Sequence, residues 1–206
     1  SLNAKPVFVE ISADLTLDLT DLKAKIAGSK ARVLLLSHMR GHITDMTALL
    51  QVCDQAGVLV VEDCAPTMGA SWDGGPSGRH GVAACYSTQT YKHVNSGEGG
   101  LLISDDPDLM ARAIMLSGSY MLYERHGAAP ENRYFDNVKY ETPNISGRMD
   151  NLRAAILRPQ LRRLADQCAA WNARYDVVDK DLRGTPGLQV INRDAREYFV
   201  GSSIQF

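Results

Sequence analysis

Two short stretches carry the residues best suited to chemistry. Asp63 ends the apolar run Val58-Leu59-Val60-Val61-Glu62-Asp63, and Lys92 ends Ser87-Thr88-Gln89-Thr90-Tyr91-Lys92, with Gly97-Glu98-Gly99-Gly100 close behind. Ligands of an open parallel sheet gather at the carboxyl ends of its strands, so an acid at such an end is placed for chemistry. An exposed Asp capping the next turn would look the same in sequence, and a lone lysine is ordinarily solvated. The combination says more. An acid, a row of hydroxyls, an amine and nearby glycines are the parts that grip a phosphate, join an amine to an aldehyde and keep a pyridine nitrogen protonated. Cys53, Cys64, Cys85 and Cys168 form no Cys-x-x-Cys pair, and the five histidines show no ligand spacing, so no metal is expected.

The elements that must position these residues alternate between strand-like and helix-like patterns. Pro6–Ile11, Ala31–Ser37, Val58–Asp63, Ala83–Ser87 and Gly99–Ser104 read as strands, mostly as continuous apolar runs, which is the pattern of a sheet covered on both faces. Leu19–Ile26 reads as a helix opened by Asp18 or Thr20 and ended by Gly28. A second helix begins at Thr44-Asp45 and stops at Gly57, and a third begins at Asp105-Asp106-Pro107. Helical crossovers between the early strands predict parallel pairing. Gly69–Gly81 is rich in turn formers, and 117–147 lacks periodicity over a length that marks a functional loop. From Arg148 to about Leu182 the apolar spacing is helical, with a kink predicted at Pro159, and Tyr198–Val200 reads as a last strand.

Composition narrows the function. The chain has 206 residues, 45% of them hydrophobic and 22% charged, which is ordinary globular content. Lys and Arg number 22 against 24 Asp and Glu, a net charge of −2, so nothing favours a nucleic-acid backbone as partner. Apolar runs such as Val33–Leu36 fall far short of the ~18 residues that cross a bilayer, and Ser1-Leu2-Asn3-Ala4-Lys5 has no export pattern. The expected setting is a reduced cytoplasm. A nucleotide-binding domain is disfavoured, because no Gly-x-Gly-x-x-Gly or Gly-Lys-Ser/Thr turn follows a strand.

In order along the chain stand Lys5-Pro6-Val7-Phe8-Val9, His38-Met39-Arg40-Gly41-His42-Ile43-Thr44-Asp45-Met46, Glu62-Asp63-Cys64-Ala65 with Gly69-Ala70, Ser87 to Lys92 with Gly97-Glu98-Gly99-Gly100, His126-Gly127, and Arg148-Met149-Asp150 with Ala154-Ala155-Ile156 and Gln160-Leu161. This ordered set resembles the DegT/StrS family of pyridoxal phosphate (PLP) dependent sugar aminotransferases, of the aspartate aminotransferase superfamily, fold type I. The resemblance implies an α/β fold, a mostly parallel sheet with helices on both faces, incomplete at both ends. Residues 1–147 would be part of the cofactor-binding large domain, and 148–206 a long helix and the start of a small domain. It implies a homodimer moving an amino group, from an amino acid such as glutamate, onto a keto-sugar or nucleotide-sugar for a cell-surface polysaccharide, lipopolysaccharide or antibiotic. Lys92 would join the cofactor aldehyde and shuttle the proton, Asp63 would pair with the pyridine nitrogen, Ser87 would bind the phosphate and Gln89 would support it.

The departures matter as well. Three residues past the pyridine-pairing acid the family often carries His or Gln, where this chain has Pro66, which leaves Thr67 as the candidate beside the ring. Relatives write Asn-x-Arg where this chain has Ser146-Gly147-Arg148. Arg148 is then either a phosphate or carboxylate ligand or a helix-start charge, and Asn144 is available for the missing amide. Tyr120, Tyr123, Arg125 and Arg148 are candidate substrate contacts, and each is also compatible with a loop packed by its own side chains. The amino-terminal phosphate-binding turn of the family is not among these residues, which keeps open a catalytically silent regulatory or interaction protein on the same scaffold. The retained Lys92 argues against the dehydratase branch, where histidine replaces it.

Overall fold

The computed structural model describes residues 3–201. Local chemistry sets most of the helix ends. Asp18 accepts from the Thr20 and Asp21 amides at 2.7 and 3.1 Å and opens α1 (Leu19–Gly28), which leads into β1 (Val33–Ser37). Asp45 accepts from Ala48 N at 3.0 Å and opens α2 (Met46–Ala56). Gly57, at φ 64°, closes that helix as only a residue tolerant of the left-handed region does readily. Then come β2 (Leu59–Asp63), a hairpin of β3 (Ser71–Trp72) and β4 (Gly75–Pro76), β5 (Ala83–Ser87), β6 (Gly100–Ile103) and α3 (Pro107–Ser117), capped by Asp106. α4 (Val138–Glu141), α5 (Asn151–Arg162), α6 (Leu164–Arg183) and β7 (Glu197–Tyr198) complete the order.

The main sheet runs β1-β2-β5-β6, the first two pairings parallel and the last antiparallel, so the fold is α/β with a mainly parallel sheet. Its register sets Ser37 beside Asp63, Asp63 beside Cys85, and Ser87 beside Gly100. A second sheet, β4-β3-β7, is antiparallel. Leu36 and Val60 on one face pack with Leu22 of α1, Met46, Leu49 and Cys53 of α2, and Cys168 of α6 into the principal core.

Several expectations are corrected here. Among the described residues, helices cover one face of the main sheet: Val33, Leu35 and Leu59, alternating with the buried positions, stay 55, 70 and 52% exposed. Pro6–Ile11 forms no strand. Only Ile11 makes a bridge, to Leu17, because no neighbouring strand among the described residues offers a ladder; Val9 packs on the core while Phe8 is exposed. Residues 117–147 are not structureless. One-turn helices at Tyr123–Arg125 and Asn132–Phe135 and the short α4 bury Tyr123, Phe135 and Val138 against Ala111, Ile114 and Met115 of α3, a small core of their own. Pro159 lies inside α5, and the break falls at Arg163, whose amide bonds back to Gln160 O at 3.0 Å in a tightened final turn.

Candidate functional site

Parallel pairing brings the carboxyl ends of β1 and β2 to one edge. The side chains of Ser37 and Asp63 emerge there on the face opposite the core. Ser37 Oγ donates to Asp63 Oδ2 at 3.1 Å and Ala65 N to Oδ1 at 3.1 Å, so the carboxylate is held at both oxygens. Each oxygen has room for a further donor.

Lys92 is delivered by the turn after β5. Gln89 N donates to Ser87 Oγ at 3.2 Å, Tyr91 N to Gln89 Oε1 at 3.0 Å, and Lys92 N to Gln89 O at 2.9 Å. The Thr88 and Thr90 amides bond to Gly99 O and Gly97 O, both at 2.9 Å. Gly99 has φ 136°, and a Cβ there would come 2.7 Å from Thr88 Oγ1. Ser87 and Gln89 thus shape the turn that presents Lys92. Asp63 and Lys92 lie on the walls of one cavity of about 590 Å³, shared with Ser37, Arg40, Pro66 and Trp171.

Directly beneath, Glu62 points the other way. It is fully buried, and its Oε1 accepts from the His80 and Gly81 amides at 2.8 Å each, its Oε2 from Gly78 N and His38 Nε2 at 3.0 Å each. Burial alone would raise this carboxyl. The His38 hydrogen bond and the Gly81 and Gly78 amides outweigh it and hold the group down at about 2. The strand end that carries Asp63 is thereby tied to loop 77–81 and to the residue after Ser37. Ligand atoms of His38, Glu62 and Cys64 come within 4.8 Å of one another, an approach their spacing in sequence does not show. The Glu62 oxygens are already taken by these donors, and burial pushes the Cys64 thiol up to about 11, so the donor set suits a structural knot better than an ion.

His93 lines the cavity beside Lys92. Among the described residues neither of its buried ring nitrogens has a hydrogen-bond partner, and the ring meets Trp171 edge-on at 5.2 Å. Burial, and then the Lys92 charge, lower it to about 4.

Other predicted residues lie elsewhere. Ser87 shares the sheet face of Asp63, but neither it nor Gln89 is among the cavity walls. Arg148 donates to Gly118 O at 3.0 Å, sits 4.8 Å over the Tyr120 ring, and lines a separate cavity of about 210 Å³ with Glu98, Gly99 and Gly100. The Tyr120 phenol, hydrogen-bonded to Ser146, Asn144 and Arg148, is lowered to about 8. Tyr123 is buried and stacked 4.1 Å from Phe135, a packing position. Arg125 is exposed on its one-turn helix. Thr67 is turned inward, fully buried with its hydroxyl 2.6 Å from Ser77 Oγ, and so cannot face a ring in the cavity. Sequence reasoning missed Ser37, Arg40 and Trp171 as site residues. Ser37 was findable, since parallel strands ending together place it beside Asp63.

A family model for the DegT/DnrJ/EryC1/StrS aminotransferase family matches residues 1–205. L-glutamine:2-deoxy-scyllo-inosose aminotransferase of Streptomyces kanamyceticus is 33% identical over 210 residues, covering 96% of this chain and 47% of the relative. dTDP-3-amino-3,4,6-trideoxy-alpha-D-glucose transaminase of Micromonospora megalomicea subsp. nigra is 32% identical over 193 residues, covering 92% and 48%. The crystal structure of AtS13 from Actinomadura melliaura superposes with a TM-score of 0.79 at 30% identity, over 95% of this chain and 52% of that one. The chain spans about half the length of the curated relatives it matches.

Proposed function

The chain belongs to the DegT/DnrJ/EryC1/StrS aminotransferase family, and from that premise we propose that its 590 Å³ cavity binds pyridoxal 5'-phosphate and serves transfer of an amino group from an amino acid, glutamate or its amide, to a keto-sugar. The observation that carries this reading is the meeting of Asp63 and Lys92 on the walls of one cavity, with the Asp63 carboxylate tied by Ser37 and Ala65.

The residues present fit the cofactor. A carboxylate with acceptor sites to spare suits a protonated ring nitrogen, and a primary amine across the same cavity suits an aldehyde. When bound, pyridoxal phosphate supplies an electron sink for the pair left when a bond at the substrate carbon breaks. Asp63 Oδ holds the ring-nitrogen proton, and the Ser37 and Ala65 hydrogen bonds fix its direction. Lys92 Nζ takes the proton from the substrate carbon and returns it, a role open to an amine on a stiff, hydrogen-bonded turn. Ser87 Oγ and Gln89, which shape the turn presenting Lys92 and stand outside the cavity walls, are proposed to meet the phosphate where it extends past those walls. Pro66 lines the same cavity as Asp63. Tyr120 and Arg148 are assigned to the substrate in the assembled enzyme, where a partner subunit completes the site. In this reading the active form is a homodimer, residues 1–147 belong to the cofactor domain, and 148–206 lead into the next one.

Among the described residues no helix is long and apolar enough to cross a membrane, and the proposed setting is the cytoplasm. Pyridoxal phosphate titration followed by visible absorbance, then mass detection of amino-sugar formed from a panel of keto-sugars with glutamate or glutamine, tests the proposal. The expected outcome is a saturable visible band and product from at least one keto-sugar. A protein that gives neither, alone or in its full-length form, contradicts it.

A further inference from the structure

Between β1 and α2 the chain makes one tight turn, Met39–Gly41, at the rim of the same cavity. Arg40 stands in it at φ 57° and ψ 18°, in the left-handed region that crowds an L side chain against its own backbone. Its neighbours hold it there. His38 is buried and bonded to Glu62. Gly41 stands at φ 82°, a backbone that strains any side chain, and a Cβ there would press tightly on Phe199 Cε2 at 3.2 Å and Pro66 O at 3.3 Å. A strained position filled by a long cation rather than by glycine or asparagine points to use of the side chain.

Three charged side chains line the cavity: Asp63, Lys92 and Arg40. The proposed chemistry employs the first two, the acid at a ring nitrogen and the amine at a carbonyl. We propose that Arg40 is a specificity-determining residue that takes an oxyanion group of the substrate, a carboxylate of the amino donor or the diphosphate of a nucleotide-sugar. The guanidinium fork matches either group with two parallel N–H···O bonds, which a lysine ammonium cannot reproduce. The inference rests on the reading of this cavity as the reaction site.

Trp171 offers a readout independent of turnover. It lines the cavity, while Trp72, the other of the two tryptophans in the chain, is buried in the core and is not among the walls of this cavity. Glutarate and dTDP are titrated separately into the pyridoxal phosphate-loaded full-length protein, following tryptophan emission, for the wild type, Arg40→Gln, Arg40→Lys and Arg40→Gly. The glycine variant removes the guanidinium while relieving the backbone, so it reports even if the glutamine variant folds poorly. At least one probe is expected to bind the wild type and to weaken by roughly tenfold or more in the Gln and Gly variants, with partial recovery in Lys.

Loss confined to glutarate assigns Arg40 to the amino donor, and loss confined to dTDP assigns it to the sugar diphosphate. Equal affinity in all variants, a wild type that binds neither probe, or weakened pyridoxal phosphate binding in place of weakened probe binding overturns the inference. The visible band of the same samples separates the two layers. A normal band with probes indifferent to Arg40 leaves the transaminase reading standing and removes this one. Absence of the band under loading conditions removes the transaminase reading and this inference with it.

Discussion

Replacing Glu62 by Gln exchanges one oxygen for an NH₂ group and leaves the shape, so its cost can be worked from the contacts. Oε1 accepts from two backbone amides and Oε2 from one amide and His38. An amide side chain turns one of these oxygens into a donor. The less damaging choice places NH₂ toward His38, which can change tautomer and accept, yet the Gly78 N–H then loses its partner in a fully buried site. An orphaned buried donor costs about 1–3 kcal/mol, and loss of the charge weakens the remaining bonds, for a total of about 3 kcal/mol. The titration gives a second route. The carboxyl falls from an ordinary 4.5 to about 2 on folding, which corresponds to at most about 3 kcal/mol. Because the folded value is the lower one, this stability is fully present above pH 4.5 and disappears as the pH falls toward 2. Urea unfolding at pH 7 should show Glu62→Gln destabilised by about 3 kcal/mol, or some 6–12 °C in Tm. The wild-type advantage should shrink progressively below pH 4.5. A Gln variant as stable as wild type at pH 7, or a difference that does not depend on pH, refutes the assignment of Glu62 as a charged anchor.

Adjacent residues of the rim turn should respond in opposite directions. Gly41→Ala, which meets Phe199 and Pro66 at positive φ, should lose about 1–3 kcal/mol in denaturant unfolding, whereas Arg40→Gly should gain up to about 1 kcal/mol. His93, lowered to about 4 from 6.5, is the opposite case to Glu62 in its source but not in its sign. The unfolded chain binds the proton first, so stability falls as the pH drops from 6.5 to 4, and His93→Leu should flatten that part of the stability–pH curve. Histidine NMR should find this ring neutral at pH 6. Gly99→Ala, with its Cβ 2.7 Å from Thr88 Oγ1, should disturb the turn that presents Lys92 and weaken pyridoxal phosphate binding, measured by absorbance titration, more than it lowers Tm.

What the sequence discloses follows the range of the interactions involved. Asp18, Asp45, Asp106 and Gly57 mark helix ends correctly because a cap is made within three or four residues. The apolar runs ending at Ser37, Asp63 and Ser87 are legible as strands for the same local reason. An apolar run does not say whether both its faces are covered, and here Leu35 and Leu59 are exposed where Leu36 and Val60 are buried. Pro6–Ile11 has strand composition but, among the described residues, no neighbouring strand to pair with beyond the single Ile11–Leu17 bridge. Pro159 is tolerated within α5, and the turn closing on Gln160 decides the break. In the site, Asp63 and Lys92 stand out by type and position. Glu62 does not, since it is masked by the acid next to it, and only the alternation of a strand sends the two carboxylates to opposite faces. Ser37 follows from the register of two parallel strands that end together, whereas Arg40 and Trp171 join the cavity through tertiary contacts that no spacing encodes.

Lys92 is proposed as the amine that engages the cofactor in the cavity it shares with Asp63. Borohydride reduction of the pyridoxal phosphate-treated protein, followed by peptide mapping, tests it most directly. One stable pyridoxyl group is expected on the peptide containing Lys92, absent from Lys92→Ala. Label spread over surface lysines, or label at another single lysine in the wild type, contradicts it.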